Sequence, residues 1–158
     1  MFITDDKGQN YGVQTYDNPD GSFDLRIKYE SQDAGETVSS MRQKGDMVLE
    51  YICIRNDNDP DNSRSRTFLS RSSGTAIDFR DMGLGTKLLK LYIDCARNRG
   101  LKRLYCSIME RHILNKPYLV DWYKKYGFKE CEPYPHHVPG AKICLCLELS
   151  HNQVEIND

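Results

Sequence analysis

The sequence predicts an α/β (α+β) fold, with a central sheet flanked by helices, and three observations support this. Alternating apolar and polar residues, typical of strands, recur in the first sixty residues and again after residue 100. Between these regions, apolar residues fall at helical spacing. The chain of 158 residues, 39% hydrophobic and 28% charged, has the size and composition of one ordinary globular domain. We therefore expect a single domain over residues 1–150 and a tail at 151–158.

The N-terminal part is predicted to consist of strands and turns. YGVQTYD (11–17) leads through the turn-forming NPDG (18–21) into FDLRIKYE (23–30), whose apolar residues alternate, and this pattern predicts a hairpin. The stretch 36–44 is compatible with a short helix. DMVLEYICIR (46–55) is the strongest strand of this part.

The middle of the chain changes from loop to strand to helix. NDNDPDNSRSR (56–66) is polar and rich in turn residues, so it predicts a loop. TFLSRSSGT (67–75) is the next expected strand. From Gly85 onward the apolar residues share one helical face, and Gly100 stands where a helix C-cap belongs.

The C-terminal part is predicted to be strand, helix, strand and strand. LKRLYCSIM (101–109) alternates as a strand, and NKPYLVDWYKKYG (115–127) predicts a short helix that begins near Asn115 and ends at Gly127. FKECEPY (128–134) and AKICLCLELS (141–150) are the last two expected strands.

The stretch RDMGLGTKLL (80–89) places Gly83 and Gly85 at the start of a predicted helix. Helix N-termini present unsatisfied N–H groups and a positive dipole end, and glycines let a phosphate approach them. The P-loop and the dinucleotide fingerprint both fail on spacing, because Thr86 and Lys87 follow Gly85 and position 88 is leucine. A phosphate loop of another class and a plain tight turn both remain open.

Two motifs together suggest a family. The spacing Arg80-x-x-Gly83-x-Gly85 resembles the acyl-CoA pyrophosphate loop of the GNAT superfamily of N-acetyltransferases. WYKKYGF (122–128) is similar to a second signature of that family, a tyrosine on a short helix followed four residues later by Gly-Phe. The resemblance covers residues 67–150.

The resemblance implies a particular sheet. It would be mixed and mostly antiparallel, with about six to seven strands and a splay between two parallel strands, here 67–75 and 101–109. Residues 67–150 would form the acetyl-CoA-binding core. Residues 1–66 would be acceptor-side strands that are atypical of the family, since its usual helices there are not evident.

The resemblance also implies a chemistry, in which an amine attacks the thioester carbonyl of acetyl-CoA. A backbone N–H near Ser73 to Thr75 would stabilise the oxyanion. Acetyl-CoA would contact the following residues: Ser73, Thr75, Arg80, Asp81, Met82, Gly83, Leu84, Gly85, Thr86 and Asn115. Asp81 and Asn115 depart from the family pattern, the first because a small residue is usual there and the second because it lies one residue early.

Tyr123 matches the family's general acid, and its phenol could protonate the departing thiolate. A tyrosine packed in the core is the alternative. Glu110, Asp78 and Glu50 are candidates for the base, although each could be a surface carboxylate. His136 and His137 lie in a loop that often borders the acceptor. A non-catalytic acyl-CoA-binding module of the same fold and a ligand-free interaction domain also stay open.

The net charge of −1 conceals an uneven distribution. Residues 1–62 hold thirteen acids against six bases, a balance of −7, and residues 63–158 have a balance of +6. This indicates either solvated surface or a bipolar site, in which the basic part meets the CoA phosphates and the acidic part meets a small-molecule or peptide amine.

The remaining features concern location and assembly. The six cysteines lack the spacing of a zinc site and are expected to pack as small core residues, so no metal is predicted. The N-terminus lacks a signal-peptide pattern, and no apolar run is long enough to span a membrane. We expect a cytoplasmic monomer or homodimer without nucleic-acid or membrane partners.

Overall fold

The computed structural model describes residues 1–54, 83–132 and 140–149. The expected loop at 56–66 and the expected strand at 67–75 lie outside these ranges. Within the described ranges the chain forms eight strands and three helices. They are β1 (Phe2–Thr4), β2 (Asn10–Asp17), β3 (Phe23–Tyr29), β4 (Gln32–Gln43), β5 (Asp46–Ile54), α1 (Leu84–Asn98), β6 (Arg103–Met109), α2 (Glu110–Asn115), α3 (Leu119–Lys125), β7 (Lys129–Glu130) and β8 (Ala141–Glu148).

The strands form one sheet in the order β1-β2-β3-β4-β5-β6-β8-β7. The sheet is mixed and mostly antiparallel, and its parallel pair is β5 with β6. This confirms the predicted fold class, with eight described strands where six to seven were expected. The predicted hairpin is also confirmed, because β2 and β3 pair antiparallel with Val13 opposite Ile27.

Residues 36–43 of the stretch expected to contain a short helix at 36–44 belong to the long strand β4, so that prediction was wrong. In the sheet β4 lies between β3 and β5, and Glu36 pairs with Arg26 of β3. The Thr37 hydroxyl also accepts a hydrogen bond from the Leu25 N–H at 2.9 Å. A Cβ on Gly35 would lie 2.8 Å from the Cys53 carbonyl oxygen, so only glycine permits the close approach of the two strands.

The chain divides into two compact units. The first comprises Met1–Asn18, Phe23–Val38 and Tyr51–Tyr92, and the second comprises Pro19–Ser22, Ser39–Glu50 and Ile93–Asp158. Buried side chains fill each unit. In the first, Phe23 packs on Tyr92 with ring centroids 5.1 Å apart. In the second, the buried residues include Met47, Val48, Leu49, Leu104, Tyr105, Phe128 and Leu145.

Helix α1 confirms the predicted helix, and the Gly100 N–H donates to the Arg97 carbonyl just after its end. The predicted helix at 115–127 was wrong in its bounds. The chain forms α2 and then α3, so Asn115 ends the first helix and does not begin the tyrosine helix. Pro117 lies between the two helices, and proline, which lacks an N–H, breaks a continuous helix.

The expected strand at 128–134 is short. Within its described part only β7 is extended, and it pairs antiparallel with β8. In the ranges that the structure describes, no helix is long and apolar enough to cross a membrane.

Asp5 holds the turn between β1 and β2. Its buried carboxylate accepts hydrogen bonds from the N–H groups of Lys7 and Gln9, at 2.9 and 2.8 Å, and from the Tyr11 hydroxyl at 2.9 Å. Burial acts to raise the pKa of Asp5, but these hydrogen bonds outweigh it and lower the pKa below the usual aspartate value. Burial, together with the bond to Asp5, raises the pKa of Tyr11 well above its ordinary range.

Replacing Asp5 with asparagine should therefore change how stability depends on pH. A lowered carboxyl pKa contributes stability above the unfolded-state value, and this contribution disappears as the pH falls from about 4 through the folded-state pKa. Urea denaturation should show Asp5→Asn less stable than wild type at pH 7, with the difference shrinking toward pH 3. The exposed-site variant Asp94→Asn should show no such convergence. Parallel wild-type and Asp5→Asn profiles would show that the carboxylate charge does not stabilise the turn.

Candidate active site

The glycine turn leads into α1 as predicted. Gly83 has φ +75°, a conformation that L side chains rarely adopt, and the Lys87 N–H donates to its carbonyl at 3.2 Å. The first turn of α1 contains no acidic residue. The backbone N–H groups at the start of a helix have no partner within it, so this end of α1 is suited to an anion.

The other predicted residues of the turn lie within α1. Leu84 is its first residue and is 1% exposed, so its side chain belongs to the core and its backbone alone could meet a ligand. Gly85 and Thr86 follow in the first turn and are half-buried. Six predicted site residues lie outside the described ranges: Ser73, Thr75, Asp78, Arg80, Asp81 and Met82.

The carboxylate of Asp6 faces Gly83. A Cβ on Gly83 would lie 2.5 Å from one carboxylate oxygen and 2.6 Å from the other. Lys87, one turn into α1, has its ammonium 3.6 Å from the Asp6 carboxylate and also donates to the Thr4 carbonyl. Sequence reasoning did not identify Asp6, because its sequence separation from Gly83 gives no sign of proximity.

The parallel pair among the described strands is β5 with β6. Strand 101–109 was expected to lie beside 67–75, and that second stretch is outside the described ranges. The register runs from Asp46 opposite Arg103 to Leu49 opposite Cys106, and both strands extend beyond this last pair. The Arg103 guanidinium lies 3.7 Å from the buried Asp46 carboxylate, an ion pair that favours this register.

Tyr123 lies on α3 and is 5% exposed. Its ring packs edge-on against Phe128, with centroids 5.4 Å apart, and against Trp122 at 4.9 Å. Its hydroxyl forms a hydrogen bond with the Cys106 thiol. Burial raises the pKa of that thiol well above its ordinary value, although the Tyr123 hydrogen bond acts in the opposite direction. A phenol is thus held beside the last paired position of β6.

Four other aromatic residues lie close to the predicted motifs and pack against their neighbours: Tyr92, Tyr105, Trp122 and Tyr126. Tyr92 is fully buried and Tyr105 is 8% exposed. Burial is the largest of the effects that raise the pKa of Tyr105 to about 12. Trp122 and Tyr126 contact each other edge-on at 5.9 Å. The Tyr123 hydroxyl reaches Cys106 on β6, one strand of the parallel pair.

The candidate bases are exposed. Glu110 begins α2, and its carboxylate lies 4.0 Å from the Lys142 ammonium. Glu50 is the first residue of β5 after the last paired position, and it is also exposed. The structure brings neither carboxylate into a described hydrogen bond with Tyr123. His136 and His137 lie outside the described ranges.

All six cysteines are free thiols. Cys131 and Cys144 have sulfurs 3.3 Å apart and pack with Cys146 around Val48 and Tyr105. Burial is the main cause that raises the pKa of Cys131 to about 12 and that of Cys146 to about 11, so these thiols stay protonated at neutral pH. Among the described residues no group of three or more His, Cys, Asp or Glu side chains is arranged to hold a metal ion.

Many acidic side chains of the N-terminal part bind the protein's own groups. Asp20 accepts bonds from Ser22 and from the Met41 N–H, and Asp24 accepts a bond from Asn18 at 2.7 Å. These contacts anchor turns and strands, as Asp5 does. Much of the −7 balance is therefore structural charge, which weakens the interpretation of the N-terminal part as a surface built for cations.

Comparison with solved structures finds the same fold. The ribosomal-protein-S18-alanine N-acetyltransferase from Escherichia coli has a TM-score of 0.53 and 19% identity, covering 80% of this chain and 68% of that one. An acetyltransferase from Bacillus subtilis in complex with CoA has a TM-score of 0.55 and 11% identity, covering 87% and 98%. A GNAT family acetyltransferase from Elizabethkingia anophelis with acetyl-CoA bound has a TM-score of 0.54 and 16% identity, covering 86% and 97%.

These identities are low, so the structural likeness establishes the fold alone. No curated protein matches the sequence significantly. The family model described as acetyltransferase (GNAT) family matches residues 5–128, which is most of the chain. Together with the mixed sheet, the glycine turn before α1 and the tyrosine of α3, this match shows that the chain belongs to the GNAT acetyltransferase family.

Proposed function

We propose that this protein is an N-acetyltransferase that transfers the acetyl group of acetyl-CoA to a primary amine by direct attack on the thioester. The observation that supports an enzyme most strongly is the Tyr123 hydroxyl. It is held by a buried ring and hydrogen-bonded to Cys106, the residue at which the pairing of β5 and β6 ends. A module that only bound acyl-CoA would not need a proton donor there.

Acetyl-CoA is the proposed cosubstrate. The backbone N–H groups of residues 83–86 would receive the pyrophosphate, because a helix N-terminus favours anions and Gly83 and Gly85 present no side chain to the phosphate oxygens. Arg80 would add a positive charge. Asp81, Met82 and Asn115 are retained as proposed contacts, and a backbone N–H at Ser73 to Thr75 is the proposed oxyanion donor.

The proposed reaction has three requirements. The amine must lose its proton before it attacks the carbonyl carbon, so a base or a water chain must accept that proton. The oxyanion of the tetrahedral intermediate must receive a hydrogen bond. When the intermediate collapses, the carbon–sulfur bond breaks, and the thiolate of CoA takes the proton of Tyr123. The nitrogen of the new amide loses its extra proton to water, and the Tyr123 phenolate regains a proton from water. A phenol is ordinarily protonated at neutral pH, so Tyr123 can fill this role.

The proposed bases are Glu110, Asp78 and Glu50. A base must deprotonate an ammonium group, so its removal should lower the rate most at the acid end of the pH profile. Separate Glu110→Gln, Asp78→Asn and Glu50→Gln variants would assign the role to whichever carboxylate changes that end.

The proposed acceptor is a primary amine of a small basic molecule or a peptide. The E. coli relative is named for an alanine of a ribosomal protein, and this agrees with a peptide amine. The exposed Glu50 is available to attract a cation, whereas the carboxylates of Asp5, Asp20 and Asp24 bind the protein itself.

Screening a panel of amines for release of free CoA thiol tests the proposed function. An amine-dependent release of thiol is expected for a transferase. A rise in melting temperature with CoA and no thiol release with any amine would favour the acyl-CoA-binding module. No thermal shift and no thiol release would contradict both functions.

Replacing Gly85 with alanine should separate ligand binding from folding. Gly85 lies in the first turn of α1, where alanine is intrinsically more stable than glycine by up to about 1 kcal/mol. We expect Gly85→Ala to unfold at the same or a higher urea concentration but to bind CoA about tenfold more weakly, a loss of roughly 1.4 kcal/mol. Gly12→Ala, at a position in β2 with open space around it, is the control and should leave CoA affinity unchanged. Unchanged CoA affinity in Gly85→Ala would remove Gly85 from the site.

Replacing Tyr123 with phenylalanine should remove the general acid and keep the ring. Turnover should fall by roughly a hundredfold to ten-thousandfold while CoA affinity is kept, provided that chemistry limits the rate. The high-pH limb of the rate profile should also change. Cys106→Ala is the matched control, because it removes the other partner of the same hydrogen bond.

The two variants distinguish catalysis from positioning. If Tyr123 is the acid, Cys106→Ala should retain most of the turnover. Equal losses of turnover in both variants, accompanied by equal losses of stability, would show that the hydroxyl holds structure.

A further inference from the structure

The start of α1 already has an anion beside it. The Asp6 carboxylate faces Gly83, with oxygens 2.5 and 2.6 Å from the position of a Cβ. The same carboxylate lies 3.6 Å from the Lys87 ammonium. A carboxylate of the protein itself therefore lies beside Gly83, which has a positive φ.

Electrostatics explains why Asp6 rests there. The N-terminal end of a helix carries partial positive charge, and the α1 first turn has no acidic residue of its own. Lys87 adds a full positive charge one turn further on. A carboxylate near this end is stabilised, as a phosphate would be, so the two anions would use the same charges.

The position of Asp6 is set by its neighbour and not by burial. Asp5 is 4% exposed and is held by three hydrogen bonds, which fix the turn. Asp6 follows directly, but 67% of its side chain is exposed. Its carboxylate can leave Gly83 by rotating its side chain into water, without disturbing the buried contacts of Asp5.

We propose that Asp6 is an internal competitor for the phosphate-binding turn, an inference that rests on the proposed binding of CoA phosphates at residues 83–86. In the ligand-free protein the Asp6 carboxylate lies against Gly83 and pairs with Lys87. Binding of CoA displaces this carboxylate, and Lys87 then becomes available to the phosphate. Asp6 sets the affinity for the cosubstrate by opposing it.

The test compares CoA binding to wild type, Asp6→Asn and Asp94→Asn by calorimetry. Asp94→Asn is the matched control. It also removes one carboxylate charge, but from a position within α1 that is ten residues after the start of the helix. Pantetheine, which lacks the phosphates of CoA, is the second ligand. Each titration is repeated at low salt and near 1 M salt, where screening reduces the interaction between exposed charges.

We expect Asp6→Asn to bind CoA about fivefold or more tightly than wild type at low salt. This factor corresponds to removing the repulsion between the Asp6 carboxylate and a CoA phosphate in contact with it in water. The gain should shrink at high salt, and it should be absent for pantetheine and for Asp94→Asn. A second variant, Asp6→Ser, should reproduce the gain and so exclude an effect peculiar to asparagine.

The contrary results are distinct. Equal CoA affinities for wild type, Asp6→Asn and Asp6→Ser would overturn the competition but leave the proposed function intact. Weaker CoA binding in both variants would show that Asp6 supports the turn and does not oppose the ligand. Absence of CoA binding in every protein would overturn the proposed function together with this inference.

Discussion

The parallel pairing of β5 with β6 is the constraint on which much of this chain depends. Antiparallel strands can be joined by a short turn, and β2 and β3 are joined in this way. Parallel strands run in the same direction, so the chain must cross back before the second strand begins. The crossover between β5 and β6 includes Gly83 and α1. Such crossovers usually contain a helix, and the start of α1 is where we propose that an anion binds.

The same strand pair gives the tyrosine its setting. β6 reaches Cys106 as the last residue paired with β5, and Tyr123 on α3 forms a hydrogen bond with that thiol. This hydrogen bond has a structural role, because it gives the buried Tyr123 hydroxyl a partner. The Tyr123 ring is also held by its packing against Trp122 and Phe128, independently of that bond. The Cys106 variant therefore separates the structural role of the hydrogen bond from the proposed proton donation by Tyr123.

Charge in the N-terminal part is mostly used within the protein. Asp5 satisfies two N–H groups of its own turn, and Asp20 reaches across to the Met41 N–H. Asp6 lies beside Gly83 at the start of α1 and pairs with Lys87. Part of the uneven charge balance along the sequence therefore comes from carboxylates that close turns, namely Asp5, Asp20 and Asp24. A carboxylate that anchors a turn cannot also attract a substrate at full strength.

The sequence by itself determined the elements whose patterns are local. Alternation predicted β2, β3, β5 and β8, helical spacing predicted α1, and two short motifs indicated the family. The local sequence pattern gave wrong predictions where neighbouring segments determined the secondary structure. Residues 36–43 formed strand because they lie in β4, between β3 and β5 of the sheet, and Pro117 divided one expected helix into two.

Only the tertiary structure decided which groups meet. The parallel neighbour of β6 among the described strands is β5, which the apolar pattern alone did not indicate, because several strands could satisfy the same pattern and their order in the sheet is set by packing. Cys106 beside Tyr123, and Asp6 beside Gly83, are contacts between residues far apart in the chain. A sequence records the chemistry that each residue can perform, whereas the partner of that residue depends on how the folded chain buries its apolar surface.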